Sequence, residues 1–506
     1  MSTDERGRLY RFAARDRAGW FLGLGGQQCL ALGVAVFASV VLLNAGTPAP
    51  IVLAPVFVGL AYVFVRVGTM PLHEWLPVTA AWTLRRLTGR TSWHARVPLL
   101  TGSALDSRGQ PDLPPCLSGL VLLHVPTHGS ARSQMAGIGV VKNTAIGAFS
   151  ATLRVRGREF ALLDASEQER MVAGWGDALV AFCVERGPVA FVRWSEWSAP
   201  AGLDEQLRYL EEHGSAPDDS PAVMAYRDLL DDAGTMATRH EVLVTLTVET
   251  RRVRVPRQAR TDPDRAVIEV LVEELRLLTA RLESASLIVD PPLSPVELAT
   301  AIRLRSDPAC RVGIATRQRG LAAQAGVVSP CNAGPMATVA HRTHFEVDGA
   351  LHRSYLISEW PRLDVPPNWM ESLLLHAGDV RTVSVTYHPV APSRSTRQIN
   401  RDSTRLASDA ELRDRKGFRV SAHHRRAQEA VEEREAELVS GFGEMEYFGI
   451  VTVTARDEEA LARSSAEYEQ VAAQAGLELR PLDGQHDLAF AAILPLGATV
   501  PTRRLA

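Results

Sequence analysis

Residues 18–65 read AGWFLGLGGQQCLALGVAVFASVVLLNAGTPAPIVLAPVFVGLAYVFV and contain no charged side chain. Two apolar runs, residues 27–43 and 51–65, are separated by the helix-breaking link NAGTPAP. Backbone groups in hydrocarbon must satisfy their own hydrogen bonds, so such runs become helices, and about 20 residues span a bilayer. The stretch therefore predicts a two-helix transmembrane hairpin with a very short outer loop.

The flanks of this hairpin are basic, whereas its loop is uncharged. The arginines are Arg6, Arg8, Arg11, Arg15 and Arg17 before it, and Arg66, Arg85, Arg86 and Arg90 after it. Because cytoplasmic flanks carry an excess of Arg and Lys, both ends are predicted to lie in the cytoplasm. We therefore expect an inner (plasma) membrane protein that crosses twice, contacts membrane lipid and keeps its bulk inside.

Two other interpretations of the apolar stretch remain open. A signal peptide has one apolar core followed by cleavage, whereas here a second apolar run follows at once. A buried helical hairpin of a soluble protein would also be apolar, and the second run is short. Gly19 and Gly23 could bring two membrane helices together.

The overall composition is that of a globular protein. The chain has 506 residues, a net charge of -3 and five cysteines. A nearly neutral chain does not create the field that binds nucleic acid in bulk, and no direct nucleic-acid motif is present. The cysteine count is odd and no C-x-x-C occurs, which favours reduced thiols.

The pattern of elements predicts an α+β fold with four parts. Residues 1–100 form the membrane hairpin and a juxtamembrane helix over 72–87, which lies at the inner surface or docks on the soluble domain. Residues 112–200 form a strand-rich α/β unit, and residues 201–340 form a second β-α-β unit with helices. Residues 341–506 form a C-terminal α+β unit with long polar helices over 392–438. Recurring β-α-β units favour ferredoxin-like layering.

Local signals place several helix starts. Ser166 and Glu169 have the spacing of a capping box, and Ser294 with Glu297 has the same spacing. Asp262 followed by Pro263 predicts the start of a long helix whose apolar positions recur at helical spacing.

The motifs of common enzymes are absent from the sequence. It has no G-x-x-x-x-G-K-[ST] phosphate loop, no dinucleotide fingerprint, no G-x-S-x-G and no H-E-x-x-H. We therefore expect no enzyme, and we assign no catalytic, cofactor-binding or metal-binding residue and no cofactor. His423 and His424 are adjacent, which suits a solvated helix face better than one metal. Cys310, Cys331 and His341 lack paired C-x-x-C spacing, so zinc is disfavoured.

The sharpest basic cluster lies within residues 251–260. It comprises Arg251, Arg252, Arg254, Arg257 and Arg260. A solvated loop and a contact with phospholipid, nucleic acid or an acidic partner are both open.

A series of short motifs in a fixed order resembles a known family. The motifs are SEQER (166–170), GWG (174–176), VRW (192–194), YRDLL (226–230), RHEVLV (239–244), EWP (359–361), VRTVSV (380–385), EAEL (435–438) and LPLG (494–497). With the Arg-flanked hairpin, they resemble an actinobacterial family of PrgI-like membrane proteins encoded with conjugation-like type IV secretion machinery.

The resemblance implies a fold and a role. The hairpin is similar to the small inner-membrane subunit that recruits the secretion ATPase, and the cytoplasmic part is similar to the N-terminal region of that ATPase without its motor domain. It implies a non-catalytic structural subunit of an oligomeric assembly that anchors and docks a separate ATPase. The alternatives are a membrane subunit of a type VII secretion system and a membrane-tethered enzyme whose site forms only in the fold.

Overall fold

A computed structural model describes most of the chain. The described residues are 10, 12, 24–68, 70–95, 112–126, 137–157, 160–201, 204–217, 219–236, 238–254, 262–311, 314, 333–376, 378, 380–415 and 422–498. Their architecture is mixed α+β: apolar helices near the N-terminus precede a large antiparallel sheet that has helices on both faces.

The N-terminal region contains three helices and three short strands. They are α1 (Gly26–Asn44), α2 (Ala49–Phe64), β1 (Arg66–Val67), β2 (Met70–Pro71), α3 (Leu72–Leu87) and β3 (Ser92–His94). A turn with Gly46 at a φ of 73° joins α1 to α2, which pack against each other. A positive φ suits glycine because it lacks a Cβ.

The sheet is built from two halves. The N-terminal half contains, in order, β4 (Leu120–Val125), β5 (Ile138–Asn143), β6 (Ala148–Arg156), α4 (Ala165–Val180), β7 (Val189–Pro200), α5 (Asp204–His213), α6 (Pro221–Met236), β8 (Thr238–Glu249), α7 (Pro263–Ser284), β9 (Ile288–Val289) and α8 (Pro295–Ser306). The helical hairpin α5/α6 is thus inserted between β7 and β8.

The C-terminal half repeats the same order of strands and helices. It contains β10 (Ala337–Ala340), β11 (Phe345–Val347), β12 (Ala350–Glu359), α9 (Glu371–Leu374), β13 (Val380–Pro389), α10 (Pro392–Arg415), α11 (Ala422–Val439), β14 (Met445–Ala455), α12 (Glu458–Gln474), β15 (Glu478–Pro481) and α13 (His486–Ile493). The helical hairpin α10/α11 occupies the place of α5/α6.

The strand order relates the two halves by an approximate twofold. Across the described residues the order is β3-β10-β11-β12-β14-β13-β7-β8-β6-β5-β4, with β15 on β12 and β9 on β6, and every pairing is antiparallel. The central pair is β13 with β7, so the order outward from that seam is the same in each direction. Strands β7 and β8 pair across residue 200, so the predicted units on either side share one sheet.

The two faces of the sheet have separate cores. On one face, α4 and α7 cover β6 and β8 through residues such as Leu153, Leu246 and Leu271, while α12 covers β12 and β14 through Tyr468. On the other face, α8 and α13 share one core that reaches both halves. Each buried face removes apolar surface from water, and this burial is the main favourable contribution to the free energy of folding.

The face covered by α8 and α13 also contains buried hydroxyls. Ser150 and Thr247 lie 2.8 Å apart, and Ser354 and Thr452 of the other half also lie 2.8 Å apart, each pair joined by a hydrogen bond. His352 is fully buried, and burial lowers its pKa to about 4. These polar groups are paired across neighbouring strands, so their burial does not leave them unsatisfied.

Residues 494–498, which we call the C-terminal strap, cross this face. The guanidinium of Arg193 on β7 is fully buried; its Nη2 donates to the carbonyl of Ala498 at 2.6 Å and its Nη1 to that of Leu494 at 3.4 Å. Burial lowers the pKa of Arg193 to about 9. Gly497 has a φ of 61°, and a Cβ there would collide with the side chain of Ser150, so the strap requires glycine.

Two of the three predicted helix starts agree with the structure. Asp262 caps α7, which begins at Pro263, and Ser294 forms a capping box with Glu297. The predicted capping box at Ser166 is wrong. Asp164 is the N-cap, and its carboxylate accepts from the backbone N–H of Glu167 at 2.9 Å and from the hydroxyl of Ser166. With Asp164 as the cap, the helix begins two residues earlier than predicted, so the N–H of Glu169 has an acceptor within the helix and needs no cap.

Candidate functional site

The outer surface of α1 and α2 is unusually apolar. Leu30 and Phe37 of α1 and Phe57 of α2 expose 65–70 % of their surface, whereas the residues at the seam between the helices are small. A Cβ built on Gly59 would lie 2.7 Å from the Cβ of Ala35, so the helices approach closely at this point. Large apolar side chains outside and small ones at the seam are typical of helices packed in lipid.

Helix length distinguishes the two helices. α1 has 19 residues and is long and apolar enough to cross a membrane. Of the residues in its apolar stretch, 11 % are buried. α2 is apolar but has 16 residues. At 1.5 Å per residue their lengths are about 28 Å and about 24 Å, against a hydrocarbon core of about 30 Å. Gly19 and Gly23 lie outside the described residues.

The juxtamembrane helix α3 docks on the C-terminal half of the sheet. Arg85 forms an ion pair with Asp487 of α13 at 2.6 Å and donates to the carbonyl of Gly484 at 2.6 Å. Glu74 lies 3.7 Å from Arg480 on β15. The chain then continues into β3, which pairs with β10. Residues 72–87, for which the sequence left two positions open, therefore contact the C-terminal half of the sheet.

Two residues that precede the hairpin contact the same half. Tyr10 forms a backbone bridge with Val365: each residue donates its N–H to the other's carbonyl, at 2.8 and 2.9 Å. The ring of Phe12 stacks on Trp360 at 5.3 Å and meets Trp369 edge-on at 5.1 Å. The chain therefore touches the C-terminal half both before α1 and after α2.

The predicted basic cluster is partly neutralised. Arg251 and Arg252 both pair with Glu249, at 2.6 and 3.2 Å. The Glu249 carboxylate raises the pKa of Arg251 further. Arg257 and Arg260 lie outside the described residues. Within the part that is described, the cluster is a loop with internal ion pairs at its start.

The weak metal candidates are not brought together. Within the described ranges, no group of three His, Cys, Asp or Glu side chains could hold a metal ion. His341 stacks on His344, with ring centroids 4.3 Å apart. Burial raises the pKa of Cys310 to about 11, which disfavours the thiolate that a metal binds. Cys331 and the side chains of His423 and His424 lie outside the described part.

One open pocket, of about 500 Å³, lies beside Trp369 and was not predicted from the sequence. It is lined by Asn368, Trp369, Glu371, Ser372, Leu375 and His376. Glu371 accepts a hydrogen bond from Asn368, at 3.0 Å, and Nε2 of His376 has no hydrogen-bond partner among the described residues. Nucleophilic catalysis needs a nucleophile hydrogen-bonded to a base, and these contacts do not provide one.

The inserted helical hairpins present side chains to solvent. On α5/α6, Tyr209, Met224 and Leu229 expose 56–66 % of their surface. On α10, Arg394 pairs with Glu446 at 3.1 Å, and both side chains are exposed. α10 and α11 pack through Ile399 and Val431, which are buried.

No protein-family model and no curated protein sequence matches the chain.

Proposed function

We propose that the chain is a non-catalytic inner-membrane component of a type IV secretion or conjugation-like apparatus that anchors and docks a separate ATPase. The hairpin α1/α2 crosses the membrane twice, and the sheet lies in the cytoplasm. The absent phosphate loop supports a subunit that recruits an ATPase and does not itself hydrolyse ATP. The resemblance to PrgI-like proteins supports the choice of apparatus.

One observation carries the two-crossing arrangement. Tyr10 precedes α1 and pairs with Val365, and Arg85 follows α2 and pairs with Asp487, so both ends of the hairpin contact one body. A single crossing through α1 alone would put Tyr10 and Val365 on opposite sides of the bilayer. Cleavage as a signal sequence would separate them altogether. An even number of crossings is therefore favoured although α2 is short, and a short helix is accommodated by local thinning of the bilayer.

The two halves of the sheet are, we infer, two ferredoxin-like units. In the N-terminal half the connection β6-α4-β7-β8-α7-β9 and the order β9-β6-β8-β7 correspond to the β-α-β-β-α-β arrangement. The C-terminal half has the order β15-β12-β14-β13 with α9 and α12. The helical hairpins are insertions between the second and third strands of each unit.

The contacts made by the regions before and after the hairpin favour different roles for the two halves of the sheet. The pairings of Tyr10, Arg85 and β3 are all with the C-terminal half. That half is therefore the one held at the bilayer. The N-terminal half, with the exposed Tyr209 and Leu229, is the better placed to meet another apparatus subunit.

The topology is tested by labelling cysteine variants in intact cells with a membrane-impermeant maleimide. Thr47→Cys, in the turn between α1 and α2, is expected to react from outside. Leu363→Cys, which is 81 % exposed on the C-terminal half, is expected to react only after permeabilisation. The unsubstituted chain gives the background of the native cysteines. Labelling of Leu363→Cys in intact cells would reject the proposal.

The partner is tested with a photo-crosslinking residue in place of Leu229. Capture of a conjugation-type ATPase supports the docking role, and capture of type VII components replaces it by the alternative. ATP hydrolysis by the purified chain would contradict a non-catalytic role. A crosslinker in place of Leu363 serves as the control, because this residue is also exposed, at 81 % against 61 % for Leu229, but lies on the attached half.

A further inference from the structure

The contact made by the N-terminal residues has the form of peptide recognition. Tyr10 and Val365 exchange two backbone hydrogen bonds, at 2.8 and 2.9 Å. In an extended segment, residues two apart face the same side. Tyr10 pairs with Val365 through its backbone, and the ring of Phe12 contacts the same surface of the C-terminal half.

The surface that receives this ring is aromatic. Phe12 lies 5.3 Å from Trp360 with the rings nearly parallel, 5.1 Å from Trp369 with the rings nearly perpendicular, and 6.4 Å from Tyr447. Trp360 and Tyr447 contact each other at 5.2 Å. We call these three aromatic residues together with Val365 the aromatic groove. Both stacked and edge-on geometries are favourable for aromatic rings.

This combination differs from ordinary core packing. Backbone pairing supplies affinity and a side-chain pocket supplies specificity when a folded domain binds an extended peptide. Twelve chain steps separate Phe12 from Leu24, and an extended chain covers at most about 3.5 Å per residue, so this tether can reach about 40 Å. The N-terminal segment can therefore leave the groove without unfolding the sheet or withdrawing α1.

We infer that the aromatic groove is a recognition site for a segment that pairs through its backbone with Val365 and supplies one aromatic ring, and that the segment containing Tyr10 and Phe12 of the same chain is its resident ligand. The segment acts as a displaceable latch between the region before the membrane and the C-terminal half. Releasing it leaves the Arg85–Asp487 attachment in place. This inference goes beyond the anchoring role and does not depend on which ATPase is the partner.

The test uses the full chain in detergent and a fluorescent peptide of residues 6–16, RGRLYRFAARD. The peptide is expected to bind the Phe12→Ala variant, whose groove is vacated, with one peptide per chain. A tethered segment has an effective concentration near 1 mM, so a peptide with a Kd of about 10 μM should bind the unsubstituted chain about 100-fold more weakly. A peptide with Ala in place of both aromatic residues should not bind.

Two further variants identify the groove. Adding Trp369→Ala to Phe12→Ala should abolish peptide binding, whereas adding Leu363→Ala, an exposed residue of the same loop, should preserve it. Because Trp369→Ala could disturb folding, hydrogen exchange gives an independent measure. The amide of Val365 should exchange faster in Phe12→Ala and regain protection when peptide is added.

Three results would overturn the inference. One is equal peptide binding by the unsubstituted chain and the Phe12→Ala variant. A second is no binding by the variant together with unchanged protection of the Val365 amide. A third is peptide binding by the Phe12→Ala variant that survives the addition of Trp369→Ala, because the peptide would then bind outside the aromatic groove.

Discussion

Glu241 on β8 lies between two arginines, and its replacement by Gln tests the reasoning about the buried charges. Its Oε2 accepts from Arg305 of α8 at 2.9 Å, and its Oε1 accepts from Arg154 of β6 at 2.9 Å. The side chain of Arg305 is fully buried over the ring of Trp197. Glu241→Gln keeps a hydrogen-bond acceptor of the same shape but removes the compensating charge.

The expected loss of stability follows from that burial. Removing one partner of a buried ion pair costs about 3–5 kcal/mol, because the other charge stays in a medium of low polarity. The Nε and Nη2 of Arg305 already have no hydrogen-bond partner among the described residues. At about 2–4 °C per kcal/mol for a unit of 150–250 residues, we expect the Tm to fall by on the order of 10 °C at pH 7.5.

The effect should depend on pH in a defined direction. Burial opposes ionisation of Glu241, but the charges of Arg305 and Arg154 outweigh it and hold its pKa below the usual value. Its contribution is therefore fully present above the unfolded pKa of about 4.3 and is lost as the pH falls through the lower folded pKa. The difference in Tm between Glu241→Gln and the unsubstituted chain should shrink accordingly below pH 4.

The assay is thermal unfolding of the full chain in detergent, followed by tryptophan fluorescence. The matched control is Glu273→Gln on α7, because Glu273 forms an exposed ion pair with Arg276 at 2.7 Å and its loss should not change the Tm measurably. Equal Tm values for Glu241→Gln and the unsubstituted chain at pH 7.5 would refute the reasoning. A Tm difference that stays constant down to pH 3 would refute the assignment to charge.

Three other variants test the packing described above. Gly59→Val should weaken the α1/α2 seam by about 1–3 kcal/mol through overpacking and lower the Tm in detergent, whereas Gly33→Val, which has open space around it, should have no such effect. Arg193→Met should leave the carbonyls of the C-terminal strap unpaired, at about 1–3 kcal/mol for each, and make the strap sensitive to a carboxypeptidase; unchanged resistance would contradict its role. Arg85→Ala should increase hydrogen exchange throughout α3, while Arg86→Ala should not, and equal exchange in the two variants would exclude the proposed attachment.

Local features of the fold could be predicted from the sequence because neighbouring residues decide them. The Asp262–Pro263 start of α7 and the Ser294–Glu297 capping box need only the first turn of each helix. The apolar character of α1 is equally local. At Ser166 the same rule failed because two nearby acceptors could each start the helix, and the cap at Asp164 places Ser166 inside the first turn.

The assembly of the sheet and the aromatic groove could not be predicted in this way. Phe12 and Trp360 are brought together by the fold, and the sequence near Phe12 contains nothing that indicates an aromatic partner in the C-terminal half of the sheet. The β7–β13 seam depends on pairing between strands that are far apart in sequence. The burial of the Arg193 guanidinium could not be predicted from the sequence, because its acceptors are two distant backbone carbonyls and the hydroxyl of Thr386, and not acidic side chains.

The two backbone carbonyls that accept from Arg193 lie 301 and 305 residues further along the chain. At about 5–20 residues per second, the ribosome needs roughly 15–60 s to make them after Arg193 has emerged. During that interval the strands around β7 cannot close over an unsatisfied guanidinium. Synthesis thus imposes an order: α1 and α2 are made first, and the nascent N-terminal half stays incomplete and accessible to chaperones until residues 494–498 have been made.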